Sequence, residues 1–511
     1  MSVDEAARRR GGGHGHAVVI GSGLAGLTAA RALANLMDSV TVIERDRLPR
    51  GPGRRRHLPQ ARHTHTLATA ALQGLEELFP GIGRDLTDAG AVHVRMSKDM
   101  LVLGPGGWLP RFDSDLSLLS AGRDLIDAVV RDRLRADAKV TFLHEHDVLS
   151  LEPGAQDTVV GVWTRPRTRT AHRKAAEPPR LIPADFVVDA SGRGSHAPRW
   201  LAELGYQPPW ETVSGTRTTY ASTVLAPPVG HIADWSSLLI MPAPGDARQG
   251  MLHPIEGGRW SVTLSAGDGT PPPTGHGELL RAAGTLRDPL LHDTLRAATP
   301  LGPVYACHQP ENRWRHYERL RRWPDQFLVV GDAYVCLDPA HGHGMTLAVH
   351  SALVLDQLLS AHGTAVGVGH RLRRALAHRL APAWQSAARS ASWALHDQDA
   401  ATGLRARLGR RHAARLATAA TTDPRAAAVL LERLQTAPAP PAAPPARGLR
   451  GRLRTPRTPA PVPRPATAGA DPRHEPAAPT ATGTGTGTGP GARPGPASAF
   501  PRRTAPPLTG R

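Results

Sequence analysis

The stretch His16-Ala-Val-Val-Ile-Gly21-Ser22-Gly23-Leu24-Ala25-Gly26-Leu constrains the fold more than any other part of this chain. Its short apolar run reads as a buried strand. Three glycines follow at G-x-G-x-x-G spacing, and a helical pattern continues to about Leu36. Val40-Thr-Val-Ile-Glu44 then reads as a second strand that ends in an acid. Strand, glycine turn, helix, strand and terminal acid in that order make a βαβ unit suited to a dinucleotide. Gly21 suits the tight turn, Gly23 lets a pyrophosphate reach the backbone, and Gly26 lets helix and strand pack closely. Unpaired N–H groups and the dipole at the helix start favour the anion. Glu44 is placed to accept hydrogen bonds from a ribose. The candidate contacts are Gly21, Ser22, Gly23, Leu24, Ala25 and Gly26, with Glu44 and its neighbour Arg45. The bland alternative is a glycine-rich βα turn that binds nothing.

Two further apolar strands end in glycine. Phe327-Leu-Val-Val-Gly331-Asp332-Ala is followed by Pro339, Gly342-His-Gly344-Met345-Thr and a helical pattern. An acid that closes a buried strand can accept hydrogen bonds from sugar or ribityl hydroxyls. A Gly-x-Gly entering a helix offers N–H groups to an anion or a ring carbonyl. The third is Val187-Val-Asp189-Ala-Ser191-Gly192-Arg-Gly-Ser195, with Arg199 beyond. Three such ends around one sheet imply one extended cofactor.

Composition adds limits. Of the chain's net charge of +18, half lies beyond Thr436, where eleven Arg face only Asp471 and Glu475. That segment is Pro, Ala, Thr, Gly and Arg, with a Thr-Gly repeat over Thr482–Gly489. It lacks the apolar content to offset chain entropy and reads as disordered. No aromatic interleaving or recognised module accompanies the arginines, so no specific nucleic-acid partner is expected. Cys307 and Cys336, the only cysteines, form no framework, which implies a reducing, cytoplasmic setting. No signal peptide is expected, because the apolar run after Arg8–Arg10 is only Ala17–Ile20. No stretch approaches the ~18 apolar residues of a membrane span. His57, His63 and His65 have metal-like spacing but no evident carboxylate or cysteine partner, so no metal is expected. His341 and His343 flank Gly342, where capping or structural roles outweigh catalysis. Trp314 and Tyr317 suit a pocket wall and a core equally.

The three glycine elements together resemble the fingerprints of class A FAD-dependent monooxygenases and their relatives. The resemblance implies that the first motif holds the ADP half of FAD. Gly331-Asp332, with Pro339, Gly342, Gly344 and Met345, would hold the ribityl chain and flavin ring. Arg123, in the helix after Ser120, matches the family's arginine that reaches the FAD phosphates, and Val148 stands where the family's backbone meets adenine. Over Ala17–Leu359, Leu58-Pro-Gln-Ala-Arg-His63-Thr-His65-Thr-Leu67 and Asn312-Arg-Trp-Arg-His316-Tyr317 are similar to a bacterial group that includes the flavin epoxidases of polyether biosynthesis, which resemble squalene epoxidase.

The implied fold is α/β, a doubly wound Rossmann-like FAD-binding domain with an inserted β-rich substrate domain, C-terminal helices and a disordered tail. The expected boundaries are 1–15 for a disordered N-terminus, 16–204 for the first part of the FAD domain (91–115 lining the substrate side) and 205–307 for the insert. The second FAD part is 308–370, the C-terminal helices 371–435 and the tail 436–511. Local patterns predict a helix over Thr66–Phe79, another capped by Ser120, a hairpin through Glu256-Gly257-Gly258, and an N-cap at Asp423. The implied activity is insertion of one oxygen atom, by hydroxylation or epoxidation, into an apolar natural product through a flavin C4a-hydroperoxide. That chemistry belongs to the cofactor, so no catalytic side chain is singled out. O2 and NAD(P)H complete the reaction. One departure matters: Ser191 stands where aromatic hydroxylases carry an aspartate tied to flavin and NADPH, so a separate flavin reductase is expected to deliver the electrons. A dehydrogenase or double-bond reductase of the geranylgeranyl reductase type would use the same cradle. A halogenase would need a lysine near the ring and a Trp-x-Trp-x-Ile-Pro signature, and Trp260 lacks that context.

Overall fold

The computed structural model describes residues 15–167, 177–214, 218–267, 269–309, 312–339, 342–394 and 404–435. The expected disordered segments 1–15 and 436–511 lie outside these residues apart from Gly15, as does His341. A parallel five-stranded sheet forms the centre, in the order Phe327–Val329, Phe186–Asp189, His16–Ile20, Ser39–Glu44, Val140–His144. Ala17, Val18 and Val19 are fully buried, as expected for a parallel strand covered on both faces. The helix Leu24–Leu36 packs against the helix Gly344–His362. This order sets the Gly21 strand beside the Asp189 strand and the Asp189 strand beside the Gly331 strand. All three glycine ends therefore emerge at one edge of one sheet.

The second large sheet has eight strands. Its order is Thr299–Pro300, Thr218–Ala226, Arg259–Ala266, Gln249–Ile255, Ser237–Ile240, Met100–Gly104, Gly107–Trp108, with Tyr305–Gln309 also paired to Thr218–Ala226. The hairpin turns at Gly257 and Gly258, both at positive φ, where glycine is unstrained. The sheet draws on more than the 205–307 segment: Met100–Gly104 joins it in parallel with Ser237–Ile240. Met100, Leu101, Val102 and Leu103 are all buried there, so both faces of this strand contribute to packing.

Two local expectations change. Thr66–Ala68 is a short strand paired with Ser117–Ser120, and the helix runs only over Thr69–Leu78. Pairing with Ser120 claims the β-branched Thr66 before the helix begins. Ser120 itself ends that strand, so Gly122 rather than Ser120 precedes the helix Arg123–Arg135. Asp423 does cap its helix, accepting the Arg425 N–H at 2.9 Å ahead of Pro424–Gln435. That helix buries Leu431 among Val94, Met96, Met100, Val102 and Leu118. Gly344–His362 has the length and mean hydropathy of a membrane span, although Asp356, Gln357 and its hydroxyl and imidazole side chains interrupt the apolar run. Its Leu347, Val349, Ala352, Leu355 and Leu359 are instead buried in the core around the parallel sheet.

Candidate functional site

The three glycines of the first turn do different work. Gly21 has φ +97, and a Cβ there would stand 2.8 Å from the Ala190 carbonyl oxygen. A Cβ on Gly26 would stand 1.9 Å from the Gly21 carbonyl oxygen, so helix and turn are in contact. A Cβ on Gly23 would meet nothing within 4 Å. Only Gly23 borders open space, at the start of a 13-residue helix. Gly331 joins the turn from the other side, since a Cβ on it would lie 2.6 Å from Ala25 Cβ. Gly192, Gly342 and Gly344, like Gly23, meet nothing within 4 Å. The glycines that pack hold the three strand ends together. The open ones leave room along those ends.

A buried polar knot stands behind the turn. Glu44 Oε2 accepts from the Ser22 backbone N–H at 2.9 Å and from its hydroxyl at 2.7 Å, while Oε1 accepts the Asp46 N–H at 2.9 Å. Arg55 donates to the Ser22 carbonyl at 3.0 Å and to its Oγ at 2.9 Å. Its other nitrogen pairs with Asp127, whose second oxygen accepts from Arg123 Nε at 2.7 Å. Glu44, Arg55, Arg123 and Asp127 are all buried. Burial alone would raise the Asp127 pKa, but the Arg123 and Arg55 guanidiniums outweigh it and hold the carboxyl below its ordinary value. Arg55 and Asp127 are absent from the sequence-derived set. Arg54-Arg55-Arg56 reads as a solvated loop in sequence, and Asp127 carries a signal only as the residue one helical turn beyond Arg123.

At the Gly-Asp end, the protein packed around Asp332 pushes its pKa up, against the nearby Arg123 and Arg193 guanidiniums. Arg315 fastens this region from outside: its guanidinium donates to the Ala333 carbonyl at 2.9 Å, the Arg193 carbonyl at 3.0 Å and Glu211 Oε1 at 2.9 Å. In the middle loop, Ser191 does not take over the expected aspartate's place as an acceptor. Asp189, two residues earlier and fully buried, accepts the Ser191 N–H at 2.9 Å and the Ser195 hydroxyl at 2.5 Å. Burial raises its pKa. The loop is thus shaped from within the sheet and presents no carboxylate at position 191.

The remaining sequence-derived residues fall as follows. Leu24 and Ala25 open the first helix, and Met345 lies buried at the start of Gly344–His362. Arg45 is exposed beside Glu44. Val148 is half-buried on the strand His146–Pro153, away from the three glycine ends in sequence and sheet. Pro339 follows Asp338, which the inserted sheet grips (below). Trp314 and Tyr317 are core residues. The three histidines have separate partners: His57 pairs with Asp46, His63 meets Ser222 Oγ at 2.8 Å, and His65 donates to the His63 carbonyl at 2.8 Å. Burial pushes His63 down to about 4 and, with Arg123 beside it, His65 down to about 3.

Comparison with known proteins fits this geometry. Residues 19–79 match the family described as NAD(P)-binding Rossmann-like domain. Protein Rv3254 of Mycobacterium tuberculosis is 33% identical over 381 residues, spanning 72% of this chain and 78% of its own length. The chain belongs to the family of that protein. Kynurenine 3-monooxygenase of Salinispora tropica is 26% identical over 370 residues, 68% of this chain and 72% of its own. Among solved structures, the flavin-dependent brominase Bmp2 superposes with a TM-score of 0.57 at 15% identity, over 82% of this chain and 93% of the brominase. The family's architecture is the Rossmann-like FAD-binding fold of flavin-dependent oxidoreductases.

The residues present fit FAD. An uncovered backbone approach at Gly23 and an acid at the end of the Gly331 strand lie at one edge of the parallel sheet, and open glycines at Gly342 and Gly344 lead into the long helix that packs against the Gly331–Ala333 turn. A nicotinamide dinucleotide would leave the later strand ends without a role.

Proposed function

We propose that this protein is an FAD-dependent monooxygenase that hydroxylates or epoxidises an apolar organic substrate. The convergence of the three glycine-ended strands carries this reading. The Gly23 turn, backed by Ser22, Glu44, Arg55 and Arg123, would hold the nucleotide and phosphates. Asp332 would accept from ribityl hydroxyls. The backbone around Pro339 and the helix start at Gly344–Met345 would hold the ring, with Arg45 and Val148 nearer the adenosine end. Bound FAD supplies activation of O2 and transfer of one oxygen atom, the second leaving as water with two electrons from NAD(P)H. The chain's own contribution is to orient the substrate against the inserted sheet and to exclude water. No side-chain acid or base is required.

Three observations favour oxygen insertion into an organic substrate over halogenation, despite the likeness to a brominase. Lys98 is paired with Asp113 at 2.8 Å, and Lys139 donates to the Ala34 carbonyl at 3.0 Å, so neither stands at the glycine ends. Trp260 is buried in the core of the inserted sheet. The 26% identical relative is named as a monooxygenase.

We further infer that electrons arrive through a separate reductase, because the middle loop offers no carboxylate at Ser191. The test is stopped-flow reduction under anaerobic conditions, followed by mixing with labelled dioxygen. A yellow protein that NADPH alone reduces slowly, that a flavin reductase accelerates, and that places one labelled oxygen in a product supports the reading. A protein that binds no FAD overturns it. Reduction of a double bond without O2 uptake would assign the geranylgeranyl reductase type instead. Fast bleaching by NADPH alone would remove the reductase.

A further inference from the structure

Asp338 immediately precedes Pro339, and the inserted sheet closes on it. Its carboxylate accepts the Tyr220 hydroxyl on one oxygen and the Thr218 hydroxyl, at 2.8 Å, on the other. Its backbone N–H donates to Asn312 Oδ1 at 2.6 Å. Asp338, Tyr220 and Asn312 are buried. The two hydroxyls come from Thr218–Ala226 of the inserted sheet; Asn312 comes from Asn312–Arg315, a strand of a separate three-stranded sheet that also pairs with Val335–Cys336 just ahead of Asp338. Alternate residues of a strand share one face. Tyr220 and Ser222 therefore point the same way. Tyr220 reaches Asp338 while Ser222 reaches His63. One strand of the inserted sheet thus holds two loops of the nucleotide-binding sheet at once. A buried carboxylate is costly unless hydroxyl or N–H donors compensate it, and an apolar contact would join two surfaces at less cost. What the carboxylate adds is direction: two hydroxyls hold it in a single register, while Asn312 holds the backbone N–H of the same residue.

We propose that Asp338 is a positioning residue that sets the Pro339 segment, and with it the flavin ring, in register with the substrate face of the inserted sheet. The inference rests on the reading above that this segment holds the ring. It assigns Asp338 no part in binding the nucleotide end, which the Gly23 turn and the Arg55 knot serve.

The test compares Asp338→Ala, Asp338→Asn and the double variant Tyr220→Phe/Thr218→Val, the last leaving the carboxylate in place. Two readouts are taken on the full chain: amide hydrogen exchange across 333–339 and 218–226 without flavin, and visible circular dichroism of bound FAD with peroxide released per NADPH consumed. In Asp338→Ala and in the double variant, local opening of both segments should become about tenfold more frequent or greater, the range for a lost hydrogen bond to a charged group. FAD should stay bound, its dichroism should change, and more of the reducing equivalents should appear as peroxide. Asp338→Asn, which keeps one acceptor oxygen, should fall between these variants and wild type. Unchanged exchange in all three variants overturns the proposal. Raised exchange with wild-type dichroism and coupling also overturns it, leaving Asp338 a purely structural tie. Loss of FAD from the double variant overturns it by making the carboxylate's partners part of the cofactor cradle. A wild-type chain that binds no FAD overturns the functional reading itself, and is told apart from these outcomes by the wild-type spectrum.

Discussion

At the Gly21–Gly26 turn, contacts are dictated by backbone: one glycine bends, one leaves space, one touches the helix, and a knot of Glu44, Arg55 and Asp127 stiffens what lies behind. At the Pro339 edge, side-chain contacts from distant strands carry the geometry among the described residues. There the partners are side chains from two other sheets: Tyr220 on Asp338 and Ser222 on His63 from the eight-stranded sheet, and Arg315, spanning Ala333, Arg193 and Glu211, from a three-stranded sheet of Glu211–Ser214, Asn312–Arg315 and Val335–Cys336. The first region is set by steric exclusion and buried charge, the second by oriented hydroxyls and neutral imidazoles. A cofactor's anionic end needs a fixed backbone nest that any substrate chemistry can share. On the proposed reading, the reacting end must fit a substrate wall supplied by the insert.

The two glycines Gly23 and Gly26 give the largest expected effects. Gly23→Val should abolish FAD binding while leaving a folded chain, because its side chain enters open space that the pyrophosphate would use. Gly26→Val should unfold the domain whether or not flavin is added, because even its Cβ would stand 1.9 Å from a carbonyl oxygen. Flavin stoichiometry and thermal melts separate the outcomes. Full flavin occupancy in Gly23→Val would break the assignment of this turn.

Arg55→Ala comes next. It removes one of two guanidiniums from Asp127, and unpairing a buried ion typically costs about 3–5 kcal/mol. Denaturant unfolding of the flavin-free protein should show a loss of this order, reduced because Arg123 remains. A stability equal to wild type, with only FAD affinity lowered, would mean that Arg55 serves the ligand and not the turn. Glu44→Ala and Asp332→Ala should each weaken FAD by roughly 1–3 kcal/mol, the range for hydrogen bonds to a charged group. Titration with FAD checks both. If Asp332→Ala held FAD as tightly as wild type, the Gly331 strand end would lose its role.

Much of the first region was legible in sequence because its causes are local. Spacing alone places Gly21, Gly23 and Gly26 in their separate tasks, and the strand order then brings Gly331 to Ala25. Arg55 was not legible: nothing in a run of three arginines says which one turns inward, since that depends on Asp127 lying one helical turn past Arg123. Nor did the residue at position 191 reveal that Asp189 shapes the same loop from inside the sheet. The hairpin through Gly257 and Gly258 was legible, and 91–115 was expected on the substrate side, but the parallel pairing of Met100–Gly104 with Ser237–Ile240 spans a sequence gap that periodicity cannot bridge. Ser120 misled for a physical reason, since a serine before a helical run suits a cap and a strand end equally until pairing decides, here with Thr66–Ala68 on one side and Val92–Arg95 on the other.

Acid should separate the two regions most gently. His63 and His65 have an ordinary pKa of 6.5 and are pushed down to about 4 and about 3, chiefly by burial, with Arg62 and Arg123 opposing a further positive charge. The unfolded chain therefore takes up protons through 6.5 while the folded chain resists until about 4, so it is the unfolded state that binds more protons in between. The stability contribution is whole above pH 6.5 and is lost as pH falls toward 4. Asp127 behaves oppositely in position: its lowered pKa keeps the Arg55 and Arg123 pairing intact above its ordinary value of 3.8, and it weakens only below that. Hydrogen exchange at pH 7.5 and pH 5 should then show the 62–65 and 218–226 segments opening at the lower pH while 21–26 and 44–55 stay protected. His63→Asn, which keeps a polar partner for Ser222 without a titrating ring, should reduce the loss. It should not abolish it, because His65 remains, and because His253 and His350 are also pushed down to about 4 by burial. Equal opening of both regions at pH 5 would show that the 62–65 and 218–226 contacts and the knot melt as one unit, and the division between them would not survive.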